Sequence, residues 1–188
     1  MMFSRFQRSE SGSVSVEMAL ICTVMIMLTL GAVEAGYAYT QHSAAQNAAR
    51  HGARLAALSA PVSNTVDDAS GSYDITCAGG TRSCSSGRYR SDAMDRIVRG
   101  PDSDGQCAAT TRERRGMCDV MNSLSVDDVS VRYVGALPAA GQRQAPPLVT
   151  VTIAERPLKT VLLGGALPGR FRTLPSVSAS LMGEDLDG

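Results

Sequence analysis

The sequence has few aromatic residues and lacks tryptophan. It carries 3 phenylalanines and 5 tyrosines among 188 residues, and only one phenylalanine, Phe171, follows residue 60. The later part of the chain must therefore build its core from Val, Leu, Ile and Met. Small cores of this kind often depend on covalent staples.

An excess of charge of either sign is also lacking. Lys and Arg together number 18, as do Asp and Glu, so the formal net charge is +0. A basic field of the kind that binds nucleic acid is therefore not indicated. We expect no nucleic-acid partner.

Histidine is scarce, and its placement excludes several chemistries. Both histidines, His42 and His51, precede residue 60. Residues 73–188 thus cannot form the Ser-His-Asp and Cys-His arrangements of hydrolases or a histidine-based zinc site. We expect no enzymatic activity, no cofactor and no metal.

Cysteine is present in a pattern that suggests disulfides. Cys22 lies in an apolar run, and the later part of the chain contains Cys77, Cys84, Cys107 and Cys118. An even set of four in an exported domain predicts two disulfides. Of three connectivities, the local pairing of Cys77 with Cys84 and Cys107 with Cys118 has the lowest loop-closure cost. Intervals of six and ten residues within these pairs do not suit a zinc knuckle.

The longest apolar run is free of charge. Between Glu17 and Glu34, 16 residues carry no formal charge. A segment at about 14–36 would measure roughly 34 Å as a helix, which is enough to cross the hydrocarbon of a bilayer. A cleaved signal peptide is the weaker alternative, because this run exceeds a usual h-region.

Basic residues around this run predict its orientation. Arg5 and Arg8 precede it, and the first basic residue after it is Arg50. The positive-inside rule then places the N-terminus in the cytoplasm and the C-terminus outside.

The helix is predicted to continue beyond the membrane and to span 13–59. Alanine is abundant and the first proline after the run is Pro61. Small residues recur every four positions and form a stripe that a second helix can approach closely, namely Ala44, Ala48, Gly52 and Ala56. Arg50 and Arg54 mark its polar flank. The alternative is that the stripe packs on this chain's own domain.

The remainder of the chain predicts a small exported head. Residues 60–72 contain turn formers and are expected to be a linker. Residues 73–188 contain helical patterns near 92–98 and 113–122, and period-two alternation at 126–134, 148–155 and 174–182. The fold class is therefore α+β, with a long N-terminal transmembrane helix and a disulfide-stapled head whose antiparallel sheet packs on the helix.

Two acidic stretches have the spacing of cation sites. Asp68, Ser70 and Ser72 match the D-x-S-x-S of a metal-dependent adhesion site, but the preceding residues do not predict the required apolar strand. Asp102 and Asp104 begin like a calcium loop, yet a closing glutamate is missing. Polar turns are the favoured interpretation.

A basic cluster is the third candidate in the head. Arg112, Arg114 and Arg115 are close in sequence and could contact phosphate or an acidic partner. A solvated helix face is favoured.

Glu17 lies where a charge is costly, just inside the apolar run. Its carboxylate either extends to the membrane interface or has a partner. A cut after Gly12 would create an amine on Ser13 and make Glu17 the fifth residue of the mature chain. The amine and a neighbouring subunit's carboxylate would then neutralise each other in lipid.

This arrangement resembles the processing site of type IV pilins and pseudopilins. More narrowly, the segment from Gly12 to about Ala57 is similar to the TadE-like family of tight-adherence (Flp) pilus proteins. The similarity rests on Val16-Glu17, Ala19-Leu20, Glu34, and the run Asn47-Ala48-Ala49-Arg50 with Gly52-Ala53-Arg54. The family commonly has an aromatic residue at the position of Met18 and a proline at that of Thr23.

The resemblance implies a minor pilin or pseudopilin with a leader at 1–12. An inner-membrane prepilin peptidase would cut between Gly12 and Ser13, and Glu17 would set the register between subunits. Its partners would be other pilin subunits and the tight-adherence assembly machinery, and it would be a single-pass inner-membrane protein incorporated in the pilus. The alternative is an unprocessed single-span envelope protein whose exterior domain binds a ligand or a metal.

Overall fold

The computed structural model of the chain describes residues 10–67, 71–100, 107, 115–135, 146–160 and 173–182. Its first element is helix α1, Glu10–Leu58, with 49 residues and a length of about 73 Å. After the helix, the Ser59 hydroxyl donates to the carbonyl of Leu55 at 2.6 Å. Pro61 then prevents continuation, since proline disfavours a helical residue before it. The long helix predicted over 13–59 is observed.

The described strands form two antiparallel sheets. Their bounds are β1 Tyr73–Ala78, β2 Ser83–Cys84, β3 Val129–Gly135, β4 Leu148–Ile153, β5 Arg156–Pro157, β6 Thr173–Leu174 and β7 Val177–Met182. The larger sheet has five strands in the order β2-β1-β3-β4-β7, and β5 pairs with β6. Each pairing is antiparallel. The α+β architecture predicted from the sequence is confirmed.

Alternating residues of the central strands form the inner face of this sheet. Val131 lies opposite Val151, and Tyr133 lies opposite Val149, in the register of β3 and β4. These side chains are fully buried, and α1 packs against β4 and β7. The sheet therefore shares one hydrophobic core with the second half of the long helix.

The three strands predicted by alternation are observed with shifted ends. The run at 126–134 begins as a 3-10 turn, Val126–Asp128, and continues as β3. The run at 148–155 is β4, and the run at 174–182 contains β7. The sequence reading missed β1, because its inward positions are only Ile75 and Cys77 and its outward ones include Asp74.

Three short α-helices follow α1 in the described residues, namely α2 Asn64–Asp67, α3 Ser91–Arg99 and α4 Met117–Val120. Helices α3 and α4 pack against α1 and against each other. Helix α3 matches the prediction near 92–98 and buries Ala93, Met94, Ile97 and Val98. The helix predicted at 113–122 is one turn long in the described part, and residues 113–114 lie outside the described residues.

The stretch expected to be a linker, 60–72, is not a free tether in its described part. Val62 is fully buried, its N–H donates to the Tyr133 hydroxyl at 3.1 Å, and its carbonyl accepts from the N–H of Arg90 at 2.8 Å. Ser63 and Val66 are also buried. Val62 and Val66, which lie among the turn formers of this stretch, thus belong to the core.

Two disulfides staple the head, in the local pairing favoured by loop-closure cost. Cys77 in β1 is joined to Cys84 in β2, and Cys107 is joined to Cys118 in α4. Disulfides of this kind typically contribute about 2–4 kcal/mol each. Cys22 is free and exposed on α1.

The small-residue stripe packs on this chain's own head, which corrects the expectation that it faces another subunit's helix. Ala48, Gly52 and Ala56 are buried, and Ala44 is partly buried. The neighbouring column of Ala45, Ala49, Ala53 and Ala57 is buried as well. Small side chains serve here to bring the sheet and α4 close to α1, which was the alternative reading of the same pattern.

Gly52 marks the closest approach of α4. A Cβ at this position would lie 2.8 Å from the Cγ of Met117 and would overlap its sulfur. Met117 is itself fully buried. Its flexible side chain therefore has little space into which it could move.

Gly52→Leu is expected to destabilise the head. Overpacking a buried site costs about 1–3 kcal/mol, whereas removing a helical glycine returns up to about 1 kcal/mol. Gly36→Leu is the matched control, because no heavy atom lies within 4 Å of its added Cβ. Thermal unfolding of the full chain in detergent measures both, and equal midpoints for Gly52→Leu and the parent would contradict this packing.

Candidate functional site

The candidate site is the first half of α1, which the head leaves uncovered. From Val14 to Val33 every residue is exposed except Leu30 and Gly31, which are partly buried. Twenty residues in a helix span about 30 Å, the thickness of a bilayer's hydrocarbon core. Among the described residues, one helix is long and apolar enough to cross a membrane. The length of the uncovered stretch thus matches a single membrane span.

The threonine hydroxyls inside this stretch form hydrogen bonds to carbonyl groups of the helix itself. The Thr23 hydroxyl donates to the carbonyl of Ala19 at 2.7 Å, and that of Thr29 donates to the carbonyl of Met25 at 3.0 Å. Such bonds remove the cost of placing a hydroxyl in hydrocarbon. Helix α1 is continuous through Thr23.

Glu17 is the carboxylate of this stretch. It is exposed, and the adjacent Val16 and Met18 are each 62% exposed. Among the described residues, it forms no ion pair. A carboxylate in such apolar surroundings needs either access to water or a cation from elsewhere.

The positions of the expected cut lie near the start of α1. Helix α1 begins at Glu10, so the backbone of Gly12 and Ser13 is helical. Ser13 and Glu17 are four residues apart, which places them on the same side of the helix, about 6 Å apart along its axis. The backbone nitrogen of Ser13 therefore lies about one helical turn before Glu17.

The head begins to hold α1 where the uncovered stretch ends. Glu34 is only 7% exposed. About two turns further on, the Gln41 side chain donates to the carbonyl of Lys159 at 2.7 Å and accepts from its N–H at 3.1 Å. Tyr37 and Tyr39 are exposed between these contacts, and exposed tyrosines are typical of membrane interfaces.

The outer face of the sheet carries a well-formed ion pair. Arg132 on β3 forms two hydrogen bonds to the carboxylate of Asp74 on β1, one of them 2.7 Å long. The hydrogen bond from Arg132 lowers the pKa of Asp74, and the same contact raises the pKa of Arg132. Both groups are exposed, so the pair orients the strands more than it stabilises them.

A small cleft lies between the β1–β2 turn and α3. It has a volume of about 280 Å³ and is lined by Arg82, Tyr89, Ser91, Asp95, Arg99, Ser125, Val126 and Asp127. Burial raises the pKa of Tyr89, and the charge of Asp95 adds to the effect. Arg99 pairs with Asp95 at 3.4 Å. Acidic and basic groups balance, and its lining holds neither histidine nor cysteine, so the described cleft offers no activated nucleophile.

The candidate cation sites gain no support. Within the described residues, no cluster of three or more potential metal ligands occurs. Asp68, Ser70, Asp102 and Asp104 lie outside the described residues. The four cysteines that could have formed a metal site are engaged in disulfides.

One cluster is formed by the fold and was not predicted. The chain before α4 brings Arg115 beside Arg50, His51 and Arg54 of α1. The spacing of Arg50 and Arg54 indicated a polar flank on the helix. No local pattern indicated that Arg115 would lie beside them. Arg112 and Arg114 lie outside the described residues.

Comparison with known proteins is informative for α1 alone. No curated protein and no solved structure matches the chain. A family model does match, and it covers the uncovered stretch together with most of the part that the head holds. The TadE-like family is a structural, pilus-associated family. Residues 12–54 of this chain therefore match the TadE-like protein family, as the sequence resemblance predicted.

Proposed function

We propose that this protein is a minor pilin or pseudopilin of a tight-adherence (Flp-type) pilus, held in the inner membrane by α1. One observation carries the proposal: a bilayer-length stretch of α1 is uncovered by the head and contains Glu17, five positions after Gly12. The match of residues 12–54 to the TadE-like family supports it. The role is one of assembly and not of catalysis.

The proposed orientation of the chain in the membrane rests on the basic residues before α1 and on the disulfides of the head. Arg5 and Arg8 precede the membrane segment, which favours a cytoplasmic N-terminus. The head carries two disulfides, and such bonds persist in oxidising compartments such as the periplasm. Both arguments favour a head outside the inner membrane, with residues 1–12 accessible on the cytoplasmic side.

Processing by a prepilin peptidase would change the electrostatics of the membrane segment. A cut between Gly12 and Ser13 removes the basic leader and leaves an amine on Ser13. This amine lies one helical turn from Glu17, so the two charges neutralise each other within a subunit. In an assembled bundle the Glu17 carboxylate can instead pair with the Ser13 amine of a neighbouring subunit. Assembly would then replace the ion pair within a subunit by one between subunits, which fixes the axial register of the two helices.

The small-residue stripe does not serve contacts between subunits in this proposal. Because the head buries it, neighbouring subunits would pack mainly along the uncovered stretch from Val14 to Val33. This stretch contains Ala19, Gly31 and Ala32, but most of its side chains are large and apolar. Packing there would depend on van der Waals contact and on the Glu17 ion pair.

Gly12→Leu is expected to block removal of residues 1–12. A peptidase that seats a residue without a side chain before the cut has no space for leucine. Gly31→Leu is the control, since it places the same side chain in the same helix, away from the cut, with no heavy atom within 4 Å of the added Cβ. Mass spectrometry of the N-terminus in native membranes measures both.

The parent and Gly31→Leu should begin at Ser13, and Gly12→Leu should begin at Met1. A parent protein that begins at Met1 would instead identify an unprocessed single-span envelope protein. Normal cleavage of Gly12→Leu would also contradict the proposed site.

Glu17→Ala is expected to be cut normally and to span the membrane, because loss of a charge makes insertion more favourable. It should fail in assembly, since a neighbour's buried amine then lacks its counter-charge, at a cost of about 3–5 kcal/mol. Recovery of the variant with sheared pili should fall about tenfold or more. Glu155→Ala, which removes an exposed carboxylate of the head, is the control and should be recovered like the parent.

Undiminished recovery of Glu17→Ala would show that the carboxylate merely reaches water at the interface. An uncut Glu17→Ala would assign the residue to recognition by the peptidase and not to assembly.

A further inference from the structure

A basic groove lies on α1, beyond the part that would cross the membrane. It has a volume of about 460 Å³ and is lined by Asn47, Arg50, His51, Arg54, Arg115 and Val120. Arg50, Arg54 and Arg115 are exposed. The groove thus gathers three guanidinium groups and one imidazole from two distant parts of the chain.

Packing of the head on α1 builds this groove. Gly52 allows Met117 to lie directly against the helix. The neighbouring His51 donates its Nε2 proton to the carbonyl of Arg115 at 2.5 Å. This bond holds the backbone of residue 115 beside the helix, so that the third arginine is positioned by the fold.

The groove's positive charge is not neutralised within the described part of the molecule. No described carboxylate forms an ion pair with Arg50, Arg54 or Arg115. Three other described arginines of the head do form ion pairs: Arg99 with Asp95, Arg132 with Asp74 and Arg156 with Asp128.

The nearby carboxylate of α4 is engaged in another role. Asp119 accepts a hydrogen bond from the N–H of Gly116 at 2.8 Å and so caps the start of its own helix. Like-charged groups crowded together without counter-charges favour an anionic partner.

We propose that this groove binds an extended acidic peptide segment of a neighbouring subunit. Arg50 and Arg54 are one turn apart, about 6 Å along the helix. Alternate residues of an extended chain are about 6.6–6.8 Å apart and point to the same side. Carboxylates at positions i and i+2 can therefore each meet one guanidinium, in the charge-assisted geometry that arginine favours.

The other lining residues suit a peptide. Asn47 offers an amide to the peptide backbone, Arg115 offers a third cation, and Val120 adds an apolar surface to the lining. The proposal rests on the assembly of subunits proposed above, but it does not depend on processing at Gly12. The test of peptide binding and the test of processing can therefore fail separately.

Lipid headgroups are a poorer fit to the groove. Gly36 ends the expected membrane segment, and Arg50 follows it by 14 residues, or about 21 Å along α1. The headgroup region extends only about 5–8 Å beyond the hydrocarbon. The groove therefore lies at the height of a neighbouring head and above the lipid.

The test uses the full chain in phosphatidylcholine nanodiscs and a fluorescent peptide, Gly-Glu-Asp-Leu-Asp-Gly. This probe has the sequence of residues 183–188 and carries aspartates at alternate positions. The control peptide is Gly-Gln-Asn-Leu-Asn-Gly, which has the same shape without charge. Fluorescence anisotropy should show binding of the acidic peptide alone, weakened by added salt.

The protein variants locate the contact. Arg50→Gln and Arg54→Gln should each raise the dissociation constant roughly threefold to tenfold, as expected for partly exposed charge pairs. Arg88→Gln removes an exposed arginine outside the groove and should leave it unchanged. Unchanged thermal unfolding would show that the variants remain folded.

Three results would overturn the proposal. The first is equal binding of the acidic and neutral peptides, or no binding of either peptide. The second is an equal effect of Arg88→Gln and Arg50→Gln. The third is displacement of the bound acidic peptide when phosphatidylglycerol replaces part of the lipid in the nanodisc, because the groove would then be a lipid site.

Discussion

The structure depends on the close approach of the head to the second half of α1. Ala45, Ala48, Ala49, Ala53 and Ala56 are almost completely buried, so the helix contributes backbone and methyl groups to the core while the sheet contributes Val, Ile and Tyr. This division compensates for the scarcity of aromatic residues, because a smooth helix permits close packing without large side chains. Each disulfide joins a fully buried cysteine of the core, Cys77 or Cys118, to a more exposed one, Cys84 or Cys107.

The same helix serves two surroundings, and its sequence changes accordingly. Before Glu34 the side chains are large, apolar and uncovered; after Gln41 one side is small and buried, and the other carries Asn47, Arg50 and Arg54. The change coincides with the hydrogen bonds between Gln41 and Lys159 of the head. A single uninterrupted element therefore contains both the anchor and one side of the core.

The sequence predicted those features that depend on local patterns. The uncharged run after Glu17 predicted the uncovered stretch, alternation predicted β3, β4 and β7, and short separation predicted both disulfides. The features it missed depend on distant contacts. The stripe at Ala48 and Gly52 has the same pattern whether it packs on a foreign helix or on Met117, and only the fold decides. Strand β1 was missed because Asp74 and Cys77 are weak strand signals. Arg115 lies beside Arg50 because its carbonyl accepts a hydrogen bond from His51, which is 64 residues earlier in the chain.

The continuity of α1 has a mechanical consequence for the displayed head. Helix α1 has no break between its uncovered stretch and the part that packs on the head. A rotation of one part about the helix axis is therefore transmitted to the other. Each residue of an α-helix turns by about 100° and rises by 1.5 Å. The azimuth and the height of the head are thus set by the number of residues between Glu17 and Gln41. A single inserted residue in that interval would turn the head by about a quarter of a revolution while leaving both anchor and head intact.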